Sequence, residues 1–434
     1  METYKHNFEY FGPDKIQTYI TRSFMREYSP ISAIQHQVPI RFTVPGSDNV
    51  YLDLSKSYIY VRAKITLANR NDIVAADQVG PINLSLHSMF SSIEVQMGGK
   101  VITDNNGLYP YRAYLETLLN YNRDLQETQL ESSLWYKDTA TQFQTFDCGN
   151  NGANRGLVSR ARFFRLSAEV EMMGRPHCDI FHQDRAILPN VSIDLNLIPS
   201  HDNFILVSPA PGGGGNQENY RFQILDIRLC IFTMELSHSM ILSHHQILNK
   251  TNARYPIRRV GMKHISIPQG YQTAQYDNIF LGILPNRIAM VLITDAMMAG
   301  GYQQNPFEFQ HYNLNHLCLY VNGEQFPSKP FNPNFAHNLY IREYHSLFEA
   351  FGIQFSDHTL AISRSDYPNG FTIFVFNLNP DPQLHEALTP FRNGSIRVEI
   401  KFAQATAATL NLLIYSEFDS VIEIDKYHNI IGPT

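Results

Sequence analysis

Apolar and polar residues alternate with a period of two over several stretches of this chain. In "SYIYVRAKITL", Ile59, Val61, Ala63, Ile65 and Leu67 share one face, and Tyr58, Tyr60, Arg62, Lys64 and Thr66 share the other. "VSIDLNLI" sets Val191, Ile193, Leu195 and Leu197 against Ser192, Asp194 and Asn196. "SIRVEIKF" sets Ile396, Val398, Ile400 and Phe402 against Ser395, Arg397, Glu399 and Lys401. Side chains of a strand point to alternate faces, so each stretch predicts a strand with one face buried. "SSIEVQMGGKVI" predicts a hairpin turning at Gly98-Gly99, and "VNGEQ" one turning at Asn322-Gly323, because these residues accept positive φ.

Helical spacing is rarer. "YPYRAYLETLLNY" (109–121), "SMILSHHQILNK" (239–250) and "IREYHSLFEAF" (341–351) predict short helices inserted between strands. "TFDCGNNGANRG" (145–156) and "SPAPGGGGNQEN" (208–219) read as surface loops, and "FPSKPFNPNF" (326–335) as an extended Pro-rich segment. In "SDYPNGF", Pro368, Asn369 and Gly370 predict a tight turn.

The strands fall into two sets, from about residue 36 to 235 and from about 253 to 425, with the helical segment at 239 between them. A chain of 434 residues is long for one core and suits two domains. Many antiparallel strands and few helices predict an all-β protein of two sandwiches, of Greek-key or jelly-roll type. The expected division is an N-terminal arm at 1–35, a first sandwich at 36–240, and a second at 241–434 that includes a C-terminal tail.

Composition narrows the function. The chain is 44% hydrophobic and 17% charged, with 28 Phe and 24 Tyr, which describes a packed globular protein and hints at surface buried against partners. A net charge of −6 without a basic stripe argues against a protein that wraps nucleic acid. The N-terminal segment lacks the basic start and apolar core of a secretory signal, and no apolar run reaches a membrane span. Cys148, Cys178, Cys230 and Cys318 are scattered and read as free thiols.

Candidate chemistry is sparse. His311, His316 and Cys318 lie within eight positions, but an odd spacing in a strand turns His311 away from His316. Strict alternation there puts His316 and Cys318 on one face with Leu314 and Tyr320. "HCDIFHQD" gathers His177, Cys178, Asp179, His182 and Asp184, residue types that ligate metals; the competing reading is a polar corner held by hydrogen bonds to the backbone. His244 and His245 diverge by ~100° on a helix and cannot easily share one ion. Glu417, Asp419, Glu423 and Asp425 supply the carboxylate pairs that a glycosidase would use, but the chain has 40 acidic residues and Trp135 as its single Trp. Nucleophile-elbow, zincin, P-loop and dinucleotide motifs are absent. The chain is therefore expected to be no enzyme, without catalytic residues, metal or cofactor. A carbohydrate- or receptor-binding β-sandwich is the alternative reading.

Six ordered blocks add a resemblance. They are "MMGRPHCDIFHQDRAILPNVSIDLNLI", "ARYPIRRVGMKHISIPQG", "DNIFLGILPNRIAMVLI", "NPFEFQHYNLNHLCLYVNGEQFPSKPF", "SRSDYPNGFTIFVFNLNPD" and "FDSVIEIDKYHNI". Together they resemble the double jelly-roll major capsid protein of Polinton (Maverick) elements and the related adintoviruses, most strongly from about 165 to 430. The resemblance implies two tandem eight-stranded jelly rolls with a few short inserted helices. It implies a homotrimer forming a pseudo-hexameric capsomer, contacts with neighbouring capsomers, and a single jelly-roll penton protein at the vertices. The icosahedral shell would enclose double-stranded DNA without reading its sequence. The expected location is the virion capsid, assembled inside the host cell, with the nucleus as a site by analogy. Tyr302 and Phe307, in an aromatic-rich loop, are the residues expected to anchor capsomer contacts.

Overall fold

The computed structural model describes residues 17–103, 106–209, 219–356, 359–380 and 388–432. Residues 210–218, with the four-glycine run expected as a loop, lie outside these, as does the start of the expected arm. The first eight principal strands are β1 (Ile20–Tyr28), β2 (Ile40–Val44), β3 (Val50–Leu67), β4 (Phe90–Met97), β5 (Lys100–Val101), β6 (Val170–Gly174), β7 (Ile193–Pro199) and β8 (Tyr220–Leu236). They form two sheets, ordered β1-β8-β3-β6 and β2-β7-β4-β5. The next eight are β9 (Ala253–Ile267), β10 (Thr273–Ile283), β11 (Arg287–Thr294), β12 (Leu314–Val321), β13 (Glu324–Phe331), β14 (Phe374–Asn377), β15 (Asn393–Phe402) and β16 (Leu410–Ile424). Their sheets are ordered β9-β16-β11-β14 and β10-β15-β12-β13, with Ile430–Ile431 added at β16.

Adding eight to each strand number of the first set reproduces the second. In each set the chain changes sheet at every step but one, the hairpins β4–β5 and β12–β13. That wrapping of a two-sheet sandwich is the jelly roll. Asn322 and Gly323 take φ of 52° and 87° in the β12–β13 turn, and Gly98 and Gly99 take 52° and 80° in β4–β5.

Each roll has its own apolar interior, and a third core fills the seam between the rolls. The strand β11 shows why its sequence "RIAMVLIT" is apolar without alternation. Ile288, Met290 and Leu292 face the interior of the second roll, while Ala289, Val291 and Ile293 face the seam. The first roll supplies its side of the seam largely from the segment between β5 and β6. That segment carries helix α1 (Tyr109–Asn120) and helix α2 (Arg155–Phe163). Helix α3 (His238–Leu248) joins the two strand sets, and helix α4 (Ile341–Ala350) precedes β14.

The structure corrects three expectations. The first roll begins at Ile20, inside the segment expected to be an arm, because β1 pairs along β8 from Ile20–Leu236 to Tyr28–Leu229. "ITRSFMREY" shows no alternation because it is a poorly covered edge strand. Helix α2 starts where a loop was expected; the Asn154 side chain accepts from the Leu157 amide, at 3.4 Å, and caps it. In β12 an irregularity between Leu314 and His316 shifts the register, so Leu314 joins Leu317 and Leu319 in the core instead of sharing a face with His316.

Candidate functional site

The seam is the part of the molecule where both rolls contribute side chains. Its apolar centre is aromatic. Tyr114 of α1 stacks on Phe307 at 4.1 Å between ring centroids, and it lies 5.2 Å from Trp135 and 5.7 Å from Phe309. Polar bonds cross the seam at its rim. The Lys137 ammonium donates to the Asp366 carboxylate at 2.6 Å and lies 4.7 Å from the Phe371 ring centre. The Gln144 amide donates to Glu308 at 2.7 Å.

At one end of the seam a chain of polar groups runs from roll to roll. His87 Nδ1 lies 2.9 Å from the Tyr109 hydroxyl, which also accepts from the His177 amide at 3.1 Å. His177 Nδ1 lies 2.6 Å from Glu116 Oε2. Arg112 Nε donates to Glu116 Oε1 at 2.8 Å, and its terminal nitrogen donates to Asp179 Oδ1 at 2.5 Å. Asp179 Oδ1 accepts in turn from the Val260 amide of β9, at 3.1 Å. Burial would raise the Glu116 carboxyl, but Arg112 and His177 outweigh it and hold it well below the ordinary carboxylate range. Desolvation pushes the His87 imidazole well below its ordinary value. The chain borders a cavity of about 630 Å³ walled by both rolls, including Glu116 and His182 from the first and Arg258 and Glu417 from the second.

Sequence reasoning placed His177 and His182 together, and the structure does bring them close, with ring centroids 5.8 Å apart. It does not add Cys178, which is buried and whose thiol desolvation pushes up to about 12. The third member is Glu116, 61 positions from His177, for which no local sequence signal exists. Among the described residues, Glu116, His177 and His182 are the group whose ligand atoms converge, all within 4.8 Å of one another.

The other candidates have separate partners. His316 Nδ1 lies 2.9 Å from Asn332, and His311 stacks on Phe335 at 4.0 Å. His244 pairs with the Tyr51 hydroxyl at 2.8 Å. Of the four acidic residues of "EFDSVIEID", Glu417 and Asp419 both line the cavity, and each of the four has its own partner. Glu417 holds Arg287, Asp419 accepts from Thr389, Glu423 pairs with Arg254, and Asp425 accepts from the Tyr427 and Asn429 amides. Trp135 is buried, so it offers no platform to a sugar.

Phe307 requires a correction. It was expected on the surface as a capsomer anchor, but it is fully buried against Tyr114 within its own chain. Pro306 and the polar residues around it resemble an exposed loop in sequence, yet the loop is tucked into the seam. Tyr302 is half-buried, and its hydroxyl donates to the Tyr220 carbonyl at 3.1 Å.

Comparison with known proteins places this geometry. No family model matches the chain. The Caenorhabditis elegans uncharacterized protein F54H12.2 is 22% identical over 435 residues, covering 96% of this chain and 98% of that protein. A chain of the Sputnik virophage, solved by cryo-EM, superposes with a TM-score of 0.64 at 11% identity, covering 100% of this chain and 92% of its own. The PBCV-1 virus capsid model gives 0.57 at 10% identity over 98% of this chain and 100% of its own. The mavirus major capsid protein gives 0.50 at 13% identity over 94% of this chain and 89% of its own. The fold is the double jelly roll. At such low identity the likeness speaks to the fold, and its extent along the chain includes both rolls and the seam. Among the described residues, no helix is long and apolar enough to cross a membrane.

Proposed function

We propose that this chain is a major capsid protein of a double-stranded DNA virus or virus-like element, of the Polinton and adintovirus type. The observation that carries the reading is the repeated strand order in one chain, combined with overlap along nearly its whole length with chains of viral capsids. Its domains are the two rolls, Ile20–Leu236 and Ala253–Ile431. Three chains present six similar rolls, which approximates a hexagon, and such capsomers tile a flat facet around the genome. A single jelly-roll penton protein closes the vertices, and neighbouring capsomers are the other partners. The role is structural, and the acidic candidates each hold a neighbour in the fold. A net charge of −6 suits a shell that encloses DNA without gripping it.

The shared aromatic core of the seam makes the two rolls one stiff unit, as a tile needs. Exposed apolar side chains such as Phe355, 92% exposed, and Leu281, 77% exposed, supply surface for contacts between chains, and the open part of Tyr302 adds to it. The product is the virion capsid, assembled inside the host cell, with the nucleus as the proposed site.

Light scattering on the purified protein tests this reading. Three chains of 49.8 kDa give a mass of about 150 kDa, and negative-stain images are expected to show hexagonal outlines or shells. A monomer at every concentration, with no such particles, would refute the capsomer.

A further inference from the structure

Glu116, His177 and His182 form a donor set beyond the shell role. We infer that these three side chains bind one zinc-type divalent transition-metal ion at the edge of the seam, where it clamps α1 to the 177–182 segment.

The donor chemistry is two imidazoles and one carboxylate. Zinc takes those ligands at ~2.0–2.2 Å and accepts water as a fourth. In a tetrahedral site any two ligands therefore lie ~3.3–3.6 Å apart. The three ligand atoms here lie within 4.8 Å of one another, so side-chain shifts of about 1 Å bring them onto one ion. In the metal-free arrangement Glu116 Oε2 and His177 Nδ1 share a hydrogen at 2.6 Å. Binding the ion breaks that hydrogen bond and moves the two atoms apart to the ligand spacing, and the imidazole proton moves to the other ring nitrogen.

The surroundings already hold the ligands in place, as metal sites require. Arg112 occupies Oε1 of Glu116, which leaves Oε2 for the ion. The Tyr109 hydroxyl fixes the backbone of His177, and the His87 ring lies edge-on to the His177 ring at 4.6 Å. Two carboxylates, Glu116 and Asp179, share the guanidinium of Arg112, which holds both in place beside the His pair.

An entry path exists. Glu116 and His177 are buried, but His182 is exposed and stands with Glu116 on the wall of the 630 Å³ cavity, which has room for the metal-bound water. The consequence is mechanical. Asp179, in the turn between the two His, holds the second roll through the Val260 amide. An ion that fixes this turn to α1 stiffens the junction of the rolls. This inference rests on the seam geometry and does not depend on the capsid reading.

The test equilibrates the full-length chain with Zn²⁺ and measures bound zinc per chain and the thermal unfolding midpoint. The wild type is expected to retain one equivalent and to unfold at a higher temperature with zinc than without. His182→Ala, at an exposed position, is expected to weaken zinc affinity by at least about 100-fold while leaving the metal-free midpoint unchanged. His182→Cys, which restores a ligand, is expected to recover binding. With Co²⁺ in place of zinc, the visible absorption of a low-coordinate site is expected in the wild type and lost in His182→Ala. A wild type that retains no zinc overturns the inference, and so does His182→Ala binding zinc as tightly as the wild type. The capsomer mass is measured separately, so a failure of either reading is distinguishable from a failure of the other.

Discussion

The Phe307 ring lies on the Tyr114 ring at 4.1 Å and within 3° of parallel, one residue from each roll. The same Phe307 ring meets Tyr111 edge-on at 5.8 Å. This stack is the centre of the third core, so removing it opens a cavity between the rolls. Phe307→Ala is expected to cost about 3–5 kcal/mol of stability, the range for a fully buried Phe. Phe307→Leu is expected to cost less. The shift of the denaturant midpoint measures both. A loss of assembly at unchanged monomer stability would contradict the burial argument.

Arg160 and Asp138 form an ion pair at 2.8 Å with side chains 1% and 0% exposed. The guanidinium also donates to the carbonyls of Pro81 and Tyr136, at 3.0 Å and 2.6 Å. Asp138→Ala leaves that cation buried without its counter-ion, and the expected loss is about 3–5 kcal/mol. Replacing both partners with apolar residues often restores stability, but here it leaves two carbonyls without a donor. The double variant Arg160→Met, Asp138→Leu is therefore expected to stay destabilised. Recovery to wild-type stability in a melting experiment would show that the carbonyl bonds contribute little.

Gly370 has φ of 105°, and a Cβ there would lie 2.3 Å from the Phe143 ring of the first roll. Two separate costs follow for Gly370→Ala, backbone strain of about 1–2 kcal/mol and a clash across the seam. Adding Phe143→Ala relieves the clash but not the strain. The pair of substitutions is thus expected to be less destabilising than the sum of the two single ones. Strict additivity in a double-mutant cycle would exclude the clash.

Much of the fold was legible because half-buried strands carry a period of two that the eye can count. Ile59, Val61, Ala63 and Ile65 read correctly, as did Ile396, Val398, Ile400 and Phe402. The hairpin at Asn322-Gly323 was legible because turn chemistry is local. What failed was non-local. Leu314 changed face because a bulge shifts the phase of β12, and a bulge leaves no fixed mark in sequence. β1 was hidden because a poorly covered edge strand has little to alternate. Phe307 read as surface because its burial depends on α1, almost 200 residues away in sequence. The polar cluster was half legible. His177 and His182 share one motif, but Glu116 joins them only when α1 packs beside the 177–182 segment.

His311 makes one part of stability depend on pH. Its ring stacks on Phe335 at 4.0 Å, and its Nδ1 accepts from the Asn313 amide at 2.9 Å, which requires an unprotonated Nδ1. Burial lowers the pKa from 6.5 to about 4. Above 6.5 the ring is neutral in both the folded and the unfolded chain, and this contribution is fully present. As pH falls from 6.5 toward 4 the unfolded chain takes up the proton first, so folding loses free energy across that window. Below about 4 both states are protonated, and the contribution is constant. His311→Phe keeps the stack on Phe335 but cannot accept from Asn313 or titrate. It is expected to be about 1 kcal/mol less stable near neutral pH, for the lost hydrogen bond. It is also expected to lose less stability than the wild type between neutral pH and pH ~4.5. Denaturant midpoints of both proteins at the two pH values decide the matter. Parallel losses in the two proteins would mean that His311 is not the group being titrated.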